Sequence, residues 1–179
     1  GLKNHPFLVR LHFAFQTSSK LFLITDFKEG GSLDRVIPQS LEVARFACGE
    51  LALALSHLHS NGILHRDVKA ANVLLDAKGH AYLADYGLAK LMDKRLSFAG
   101  TLEYMAPESL GKIKHVRAAS DWWALGCLLA EIHQGFTPFR ADTPRQLMAN
   151  ILKAKPVVPD AMSDILSQLL QRDPNNRMC

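Results

Sequence analysis

Several side chains that could act together lie within twelve residues of the chain, in the stretch HRDVKAANVLLD at 65–76. Asp67 is an acid, Lys69 is a cation two positions later, and Asn72 is an amide five positions after the acid. A second acid, Asp85, ends the next short apolar run and precedes Gly87, which permits a sharp turn. Two acids and an amide at strand ends can hold Mg²⁺, which proteins usually bind through one or two carboxylates and substrate phosphates. A lone Asp-x-Gly is more often a simple turn. The prediction of a metal site therefore depends on the nearby Asp67 and Asn72.

Strands are predicted in the first part of the chain. The stretch FLVRLHFAFQ at 7–16 has alternating character, and the stretch KLFLITDF at 20–27 is a second run of β-favouring residues. The turn-like sequence at 17–19 separates the two, so we expect an antiparallel pair. The run Val73–Leu75 predicts another short strand directly after the candidate site. The acid, cation and amide are therefore expected on a loop, where functional residues often lie.

Helices are predicted in the rest of the chain. From Ser40 to Ser60 the apolar residues recur every three or four positions, and the Gly at 62 is a typical stop signal, which predicts a long, largely buried helix. Three further helices are expected, with an N-cap at Ser120 and a stop at Gly135, an N-cap at Thr143 with Pro144 in the first position, and a start at Ser163. Strands followed by helices predict an α+β fold.

The composition is typical of a globular protein, since 48% of the 179 residues are hydrophobic and 21% are charged. The net charge of +4 comes from basic residues spread along the chain, so no nucleic-acid partner is expected. Three well-separated cysteines favour free thiols, a reducing compartment and a cytoplasmic location. The longest apolar stretch, Trp122–Ile132, is shorter than the about 20 residues that cross a bilayer, so no membrane span is expected. The chain begins without Met and has no tail, and we interpret it as part of a longer protein.

The order of these motifs resembles that of a eukaryotic protein kinase catalytic domain. The stretches His65-Arg66-Asp67, Asp85-Tyr86-Gly87 and Ala106-Pro107-Glu108 look like its catalytic loop, its metal-binding loop and its closing motif. The stretches NHPFLVRLHFAFQ, GTLEYMAPE, SDWWALGCLLAEI and RDPNNR are similar to the AGC group of serine/threonine kinases. The resemblance implies ATP-dependent phosphorylation of serine and threonine hydroxyls on protein substrates.

The resemblance also implies a role for each candidate site residue. Asp67 would orient the substrate hydroxyl and accept its proton, Lys69 would stabilise charge on the transferred phosphoryl group, and Thr101 would hydrogen-bond to both. Asn72 and Asp85 would hold Mg²⁺. The adenine of ATP would lie against four residues. They are Thr25 as gatekeeper, Asp26 and Lys28 after the second predicted strand, and Leu74 in the strand after the candidate site. Outside the site, Glu108 and Arg177 match an ion pair of the family.

In family terms, residues 1–27 would be part of an N-lobe with its last two strands, 28–31 a hinge, and 32–179 a C-lobe truncated near its end. The Gly-rich loop, strand Lys and partner Glu of the family are not among these 179 residues, and we expect them in an N-terminal segment of the parent protein. The 179-residue chain alone is therefore expected to be inactive. A kinase-like scaffold that binds partners without catalysis is the alternative function for the parent protein. A metal-dependent hydrolase using His65 has less support, because no His pair has metal-ligand spacing.

Two expectations concern regulation and substrate choice. Ser97 lies four residues before Thr101, where kinases of this group carry an activating phosphate, so an upstream kinase is a candidate partner. Arg66 and Lys90 would bind that phosphate. The acids that normally select Arg upstream of the phosphorylated residue are replaced by Ser and Ala at positions 32 and 71, while Glu131 is kept. We therefore expect a weak preference for Arg three places upstream.

Overall fold

The structure is a computed structural model, which describes residues 4–85, the backbone of 90–91, and residues 101–110 and 118–179. Among the described residues, three short strands precede the first helix, four more lie between the first and second helices, and the last two helices follow, so the predicted order of strands before helices holds only in part. The strands are β1 (Leu11–Gln16), β2 (Leu21–Thr25), β3 (Gly31–Ser32), β4 (Ile63–Leu64), β5 (Val73–Leu75), β6 (Ala81–Leu83) and β7 (Lys90–Leu91). The helices are α1 (Leu41–Ser60), α2 (Ala118–Gln134), α3 (Pro144–Lys153) and α4 (Ser163–Leu169).

The predicted antiparallel pair is formed by β1 and β2, in a register that runs from Leu11 opposite Thr25 to Gln16 opposite Leu21. All residues of both strands are exposed in the described part of the chain, including the large apolar side chains of Phe13 and Leu23. A two-stranded ribbon with two exposed faces has little stability of its own. The apolar side chains of this hairpin therefore present a large exposed area that contact with further protein could bury.

Helix α1 has the predicted boundaries and the predicted buried face. Its N-cap is Ser40, whose Oγ accepts a hydrogen bond from the Val43 N–H, and Gly62 follows its end with a φ of 71°. The apolar residues that recur along the helix are all buried, namely Ala44, Ala47, Leu51, Ala54, Leu55 and Leu58. The periodicity thus identified the face that packs in the core.

Helix α2 is buried nearly all round and forms the centre of the helical core, as its sequence predicted. It contacts both α1 and α4. The close approach to α4 requires Gly126, where a Cβ would lie 2.9 Å from the Leu169 Cβ. Gly135 follows the helix end with a φ of 85°.

The prediction that Ser120 caps α2 is wrong, because Ser120 lies within the helix, which already includes Ala118. Its hydroxyl donates a hydrogen bond to Glu108 Oε1 at 3.0 Å. A Ser before an apolar run resembles an N-cap in sequence, whereas here the side chain makes a tertiary contact. The cap at Thr143 is confirmed, since its Oγ1 accepts from the Gln146 N–H at 3.3 Å. The start of α4 at Ser163 is also confirmed.

Two further sequence predictions can be compared with the structure. The cysteines Cys48, Cys127 and Cys179 are all free thiols, as expected. Burial raises the pKa of Cys48 to about 12, so this thiol is protonated at neutral pH. Among the described residues, no helix has both the length and the apolar character needed to cross a membrane.

Candidate active site

A buried carboxylate on α2 fixes the backbone of the loop that carries the candidate site. Asp121 is 1% exposed, and its two oxygens accept the N–H groups of His65 at 2.9 Å and Arg66 at 2.8 Å. His59, near the end of α1, lies 2.8 Å from the same carboxylate through Nε2. Arg66 has a φ of 73°, a left-handed conformation that these two hydrogen bonds help to hold. Two core helices thus position the loop.

The imidazole of His65 joins this loop to the residue that precedes Asp85. Its Nδ1 accepts the Asp67 N–H at 3.3 Å, and its Nε2 lies 2.9 Å from the carbonyl oxygen of Ala84. These partners favour the neutral tautomer that carries its proton on Nε2. His65 therefore has a structural role between the two acids, and this use of both ring nitrogens does not support the hydrolase alternative.

The Asp67 carboxylate is the centre of a compact polar cluster. Its Oδ1 accepts hydrogen bonds from the backbone N–H and the hydroxyl of Thr101, both at 3.1 Å. Its Oδ2 lies 2.7 Å from Lys69 Nζ and accepts the Asn72 Nδ2–H at 2.9 Å. Lys69 also donates to the Thr101 hydroxyl at 3.0 Å. The hydrogen bonds predicted between Thr101, Asp67 and Lys69 are therefore present.

The environment of Asp67 keeps it charged. Burial acts to raise the pKa of its carboxyl, but the hydrogen bond and the charge of Lys69, with the hydrogen bonds from Thr101 and Asn72, outweigh it. The net pKa lies below the usual value for Asp, so the group is ionised at neutral pH. An ionised carboxylate fixed in this way can accept a hydrogen bond, and then a proton, from a substrate hydroxyl.

The two predicted metal ligands, Asn72 and Asp85, lie at the ends of adjacent strands. The Ala84 N–H donates to the Asn72 carbonyl oxygen at 2.8 Å, which holds the residue before Asp85 against Asn72. Asn72 uses its Nδ2 for Asp67, so its amide oxygen can face a cation. Asp85 is exposed and has a φ of 60°. An amide oxygen and a carboxylate fit Mg²⁺, which takes its remaining oxygen ligands from phosphates and water.

The residues predicted to contact adenine lie around the sheet β3–β5–β6. Ser32, Leu74 and Tyr82 are register partners across its three strands, so their side chains share one face. Thr25 ends β2, and its hydroxyl donates to the Asp26 carbonyl oxygen at 3.4 Å. Lys28 Nζ lies 3.4 Å from the centroid of the Tyr82 ring, so the linker after β2 lies close to the face that carries Leu74.

Gly30 attaches this linker to β5. Its N–H donates to the Leu75 carbonyl oxygen at 2.9 Å. A Cβ at this position would lie 2.9 Å from Leu75 O, from Leu75 Cβ and from Asp76 O, and two of these three atoms belong to the backbone. The linker can therefore lie this close to β5 only with a glycine here.

Replacing Gly30 by Ala should destabilise the fold by about 1–3 kcal/mol, because an inserted methyl group forces the linker away from β5. The free energy of unfolding in urea measures the effect. Gly49→Ala is a matched control, since Gly49 is exposed in α1 and a Cβ there would meet open space. That change should stabilise by about 0.5–1 kcal/mol. Equal effects of the two substitutions would contradict the close approach.

The predicted regulatory residues are only partly described. Ser97 lies outside the described residues. Lys90 belongs to β7, which pairs with β4 so that Lys90 is opposite Leu64. Arg66 is buried, and this burial lowers the pKa of its guanidinium although the charge of Asp121 opposes the shift. A phosphate on Ser97 bound by Arg66 and Lys90 stays a prediction.

One functional residue, Asp121, was not identified from the sequence. The signal that could have found it was an acid within an otherwise apolar helix, because a buried charge needs partners. Glu50 gives the same signal in α1, and its carboxylate accepts the Ala81 N–H at 2.7 Å and lies 2.6 Å from His80 Nδ1. Both acids join helices to the strand and loop segments around the site.

Comparison with known proteins agrees with this geometry. The chain matches the protein kinase domain over residues 1–179. Ribosomal protein S6 kinase alpha-2 of Homo sapiens is 46% identical, with 98% of this chain and 25% of that protein covered. Ribosomal protein S6 kinase alpha-3 of Mus musculus is 45% identical and alpha-6 of Danio rerio 46%, with the same coverage. The chain therefore spans about a quarter of the length of the curated relatives it matches. The resemblance to AGC-like kinases is confirmed.

Proposed function

The chain belongs to the protein kinase domain family, and we propose that its parent protein transfers the γ-phosphoryl group of ATP to serine and threonine hydroxyls of protein substrates. The observation that carries the proposal is the Asp67 carboxylate, which is ionised and held by Lys69, Thr101 and Asn72. Phosphoryl transfer requires little covalent chemistry from the protein, so positioning and opposite charge are the contributions its side chains make.

In this proposal a substrate hydroxyl replaces one donor at Asp67. A carboxylate has about four acceptor positions, and Asp67 already accepts from the Thr101 N–H and hydroxyl, from Lys69 and from Asn72. Lys69 is the donor best able to leave, since its side chain is flexible and 25% exposed. A phosphoryl group that attracts Lys69 would free an oxygen of Asp67 for the substrate hydroxyl. In this proposal, binding of ATP thereby makes the Asp67 carboxylate available as the general base.

Protein kinases use ATP and Mg²⁺, and we assign both to this site. Asn72 and Asp85 would bind Mg²⁺, which would neutralise charge on the phosphates. Thr25, Asp26, Lys28 and Leu74 would contact the adenine.

We also propose the division into a partial N-lobe (1–27), a hinge (28–31) and a C-lobe (32–179). Free thiols support a cytoplasmic location.

The test is phosphoryl transfer by the full-length protein. Radiolabelled ATP with Mg²⁺ is offered with peptides that differ only in having Ser, Thr or Tyr as acceptor. We expect label on Ser and Thr peptides and little on Tyr peptides. A protein that binds ATP and partners but labels no peptide, even after treatment with upstream kinases, would instead favour the scaffold alternative.

Substrate choice gives a second prediction. Glu131 is partly buried and accepts a hydrogen bond from the Tyr104 hydroxyl, and burial is the main cause that raises the pKa of its carboxyl. The Glu131 carboxylate is therefore already partly used in the hydrogen bond with Tyr104. Each charge-assisted hydrogen bond to Arg contributes about 1.5–3 kcal/mol, and positions 32 and 71 provide none. A peptide-library assay should show weak selection for Arg three places upstream. Ser32→Asp should strengthen that selection, whereas strong selection by the wild-type protein would contradict the prediction.

A further inference from the structure

The Lys28 side chain lies against the protein and does not extend into solvent. Its Nζ lies 3.4 Å from the centroid of the Tyr82 ring and 3.9 Å from Asp26 Oδ2, and the side chain is only 14% exposed. An ammonium over an aromatic face is attracted by the ring quadrupole, and the attraction strengthens when the pair is removed from water. Lys28 is thus held between a ring on β6 and a carboxylate at the end of β2.

The two partners of Lys28 are themselves fixed. The Tyr82 hydroxyl donates to Asp76 Oδ2 at 3.1 Å, while Asp76 Oδ1 accepts the N–H groups of Lys78 and His80 in the β5–β6 turn. The hydrogen bond from His12 is the main cause that lowers the pKa of Asp26, so this carboxylate is charged at neutral pH. Each of the two groups that Lys28 contacts therefore has a hydrogen-bond partner of its own.

The Lys28 contact lies beside the candidate nucleotide site. Tyr82 is the register partner of Leu74, and its ring lies on the same face of the sheet as the residue proposed to contact adenine. Gly30, two residues after Lys28, attaches the linker to Leu75 of β5. The segment between these two attachments is short. The linker is therefore attached to the sheet at two nearby points, Lys28 and Gly30.

We propose that Lys28 and Tyr82 form a clasp that holds the linker 28–31 against the β3–β5–β6 sheet and sets the affinity of the nucleotide site next to Leu74. Lys28 is then a positioning residue through its side chain, in addition to the backbone contact expected of it. The effect on ATP rests on the proposed function. Preorganising the linker means that ATP need not order it on binding, and loss of the clasp reduces the fraction of molecules ready to bind.

The nucleotide test uses the full-length protein and measures the KM for ATP and kcat separately. Lys28→Met, which removes the charge from a stem of similar length, should raise the KM about three- to tenfold with a smaller change in kcat. Tyr82→Leu should also raise the KM, and the effects should be less than additive in the double variant, because both changes remove the Lys28–Tyr82 contact. Lys28→Arg keeps the cation and Tyr82→Phe keeps the ring, so each should retain most of the affinity for ATP. Lys78→Met, at an exposed lysine in the nearby turn, is the matched control and should change neither quantity.

Hydrogen exchange tests the clasp without any nucleotide. The amides of Gly30 and Gly31 donate to Leu75 O and Lys28 O, so they should exchange at least several-fold faster in Lys28→Met than in the wild type. Unchanged exchange overturns the clasp, whatever the activity. Faster exchange with an unchanged KM for ATP overturns its role in nucleotide affinity. A wild-type protein that transfers no phosphoryl group overturns the proposed function, and exchange then decides on the clasp alone.

Discussion

Replacement of Asp67 by Asn should lower kcat by about 10²- to 10⁴-fold, the contribution expected of a positioned general base. The change keeps the shape of the side chain but removes the proton acceptor. It also places an amide NH₂ or an uncharged oxygen against Lys69, which loses the carboxylate oxygen that lies 2.7 Å from its Nζ. In the proposed mechanism, the change therefore removes the base and also the carboxylate that positions Lys69.

The measurement is single-turnover phosphoryl transfer by the full-length protein with saturating ATP and Mg²⁺. ATP affinity and the melting temperature should change much less than the rate, because the proposed adenine contacts lie at the linker and the other hydrogen bonds of the loop are retained. Asp173→Asn is the matched control, since Asp173 accepts hydrogen bonds in an exposed loop far along the chain. A variant at Asp67 that retained more than a tenth of the wild-type rate would remove this residue from the proposed mechanism.

Local sequence signals predicted the elements that hold the site. Helix α1 was predicted from its apolar spacing and the glycine at 62, because each of these signals acts within a few residues. The same holds for the cap at Thr143. Ser120 was assigned wrongly, since its local context fits an N-cap while its hydroxyl contacts Glu108, twelve positions earlier. Local patterns do not contain such a contact.

The contacts within the site needed information beyond local pattern. The hydrogen bond between Thr101 and Asp67 joins residues 34 positions apart, and it was expected only because the motifs resemble those of kinases. Asp121 is separated from Arg66 by 55 positions and was missed. The Lys28–Tyr82 contact was also missed. It depends on the register of β5 and β6 and on the path of the linker, neither of which follows from residue types alone.

Replacement of Arg177 by Met should destabilise the domain by about 3–5 kcal/mol, the range found when a buried ion pair loses one partner. The Arg177 side chain is 0% exposed, and its Nη1 and Nη2 lie 2.6 and 3.0 Å from the two oxygens of Glu108. It also donates to the carbonyl oxygens of Ala119, Gln171 and Arg172. Its loss leaves a largely buried carboxylate and three carbonyls without this donor.

Calorimetry of the full-length protein should show the kinase-domain transition lower by roughly 6–20 °C, since 1 kcal/mol corresponds to about 2–4 °C for a domain of this size. Arg177→Lys should recover little, because an ammonium cannot reproduce the two parallel hydrogen bonds to Glu108. Arg140→Met is the control at an exposed arginine and should change stability by less than about 0.5 kcal/mol.

A double variant separates the pair's own contribution from the cost of breaking it. Glu108→Leu with Arg177→Met removes both charges and fills the space with apolar atoms, which often costs little or even stabilises a protein. We expect the double variant to be more stable than Arg177→Met by at least about 1 kcal/mol, because no unpaired carboxylate remains. Glu108 also accepts from Ser120 in α2, so the pair joins the segment after Thr101 to the core helix that carries Asp121. A double variant as unstable as the single one would mean that Arg177 acts mainly through the carbonyl groups and the Trp123 ring that it covers.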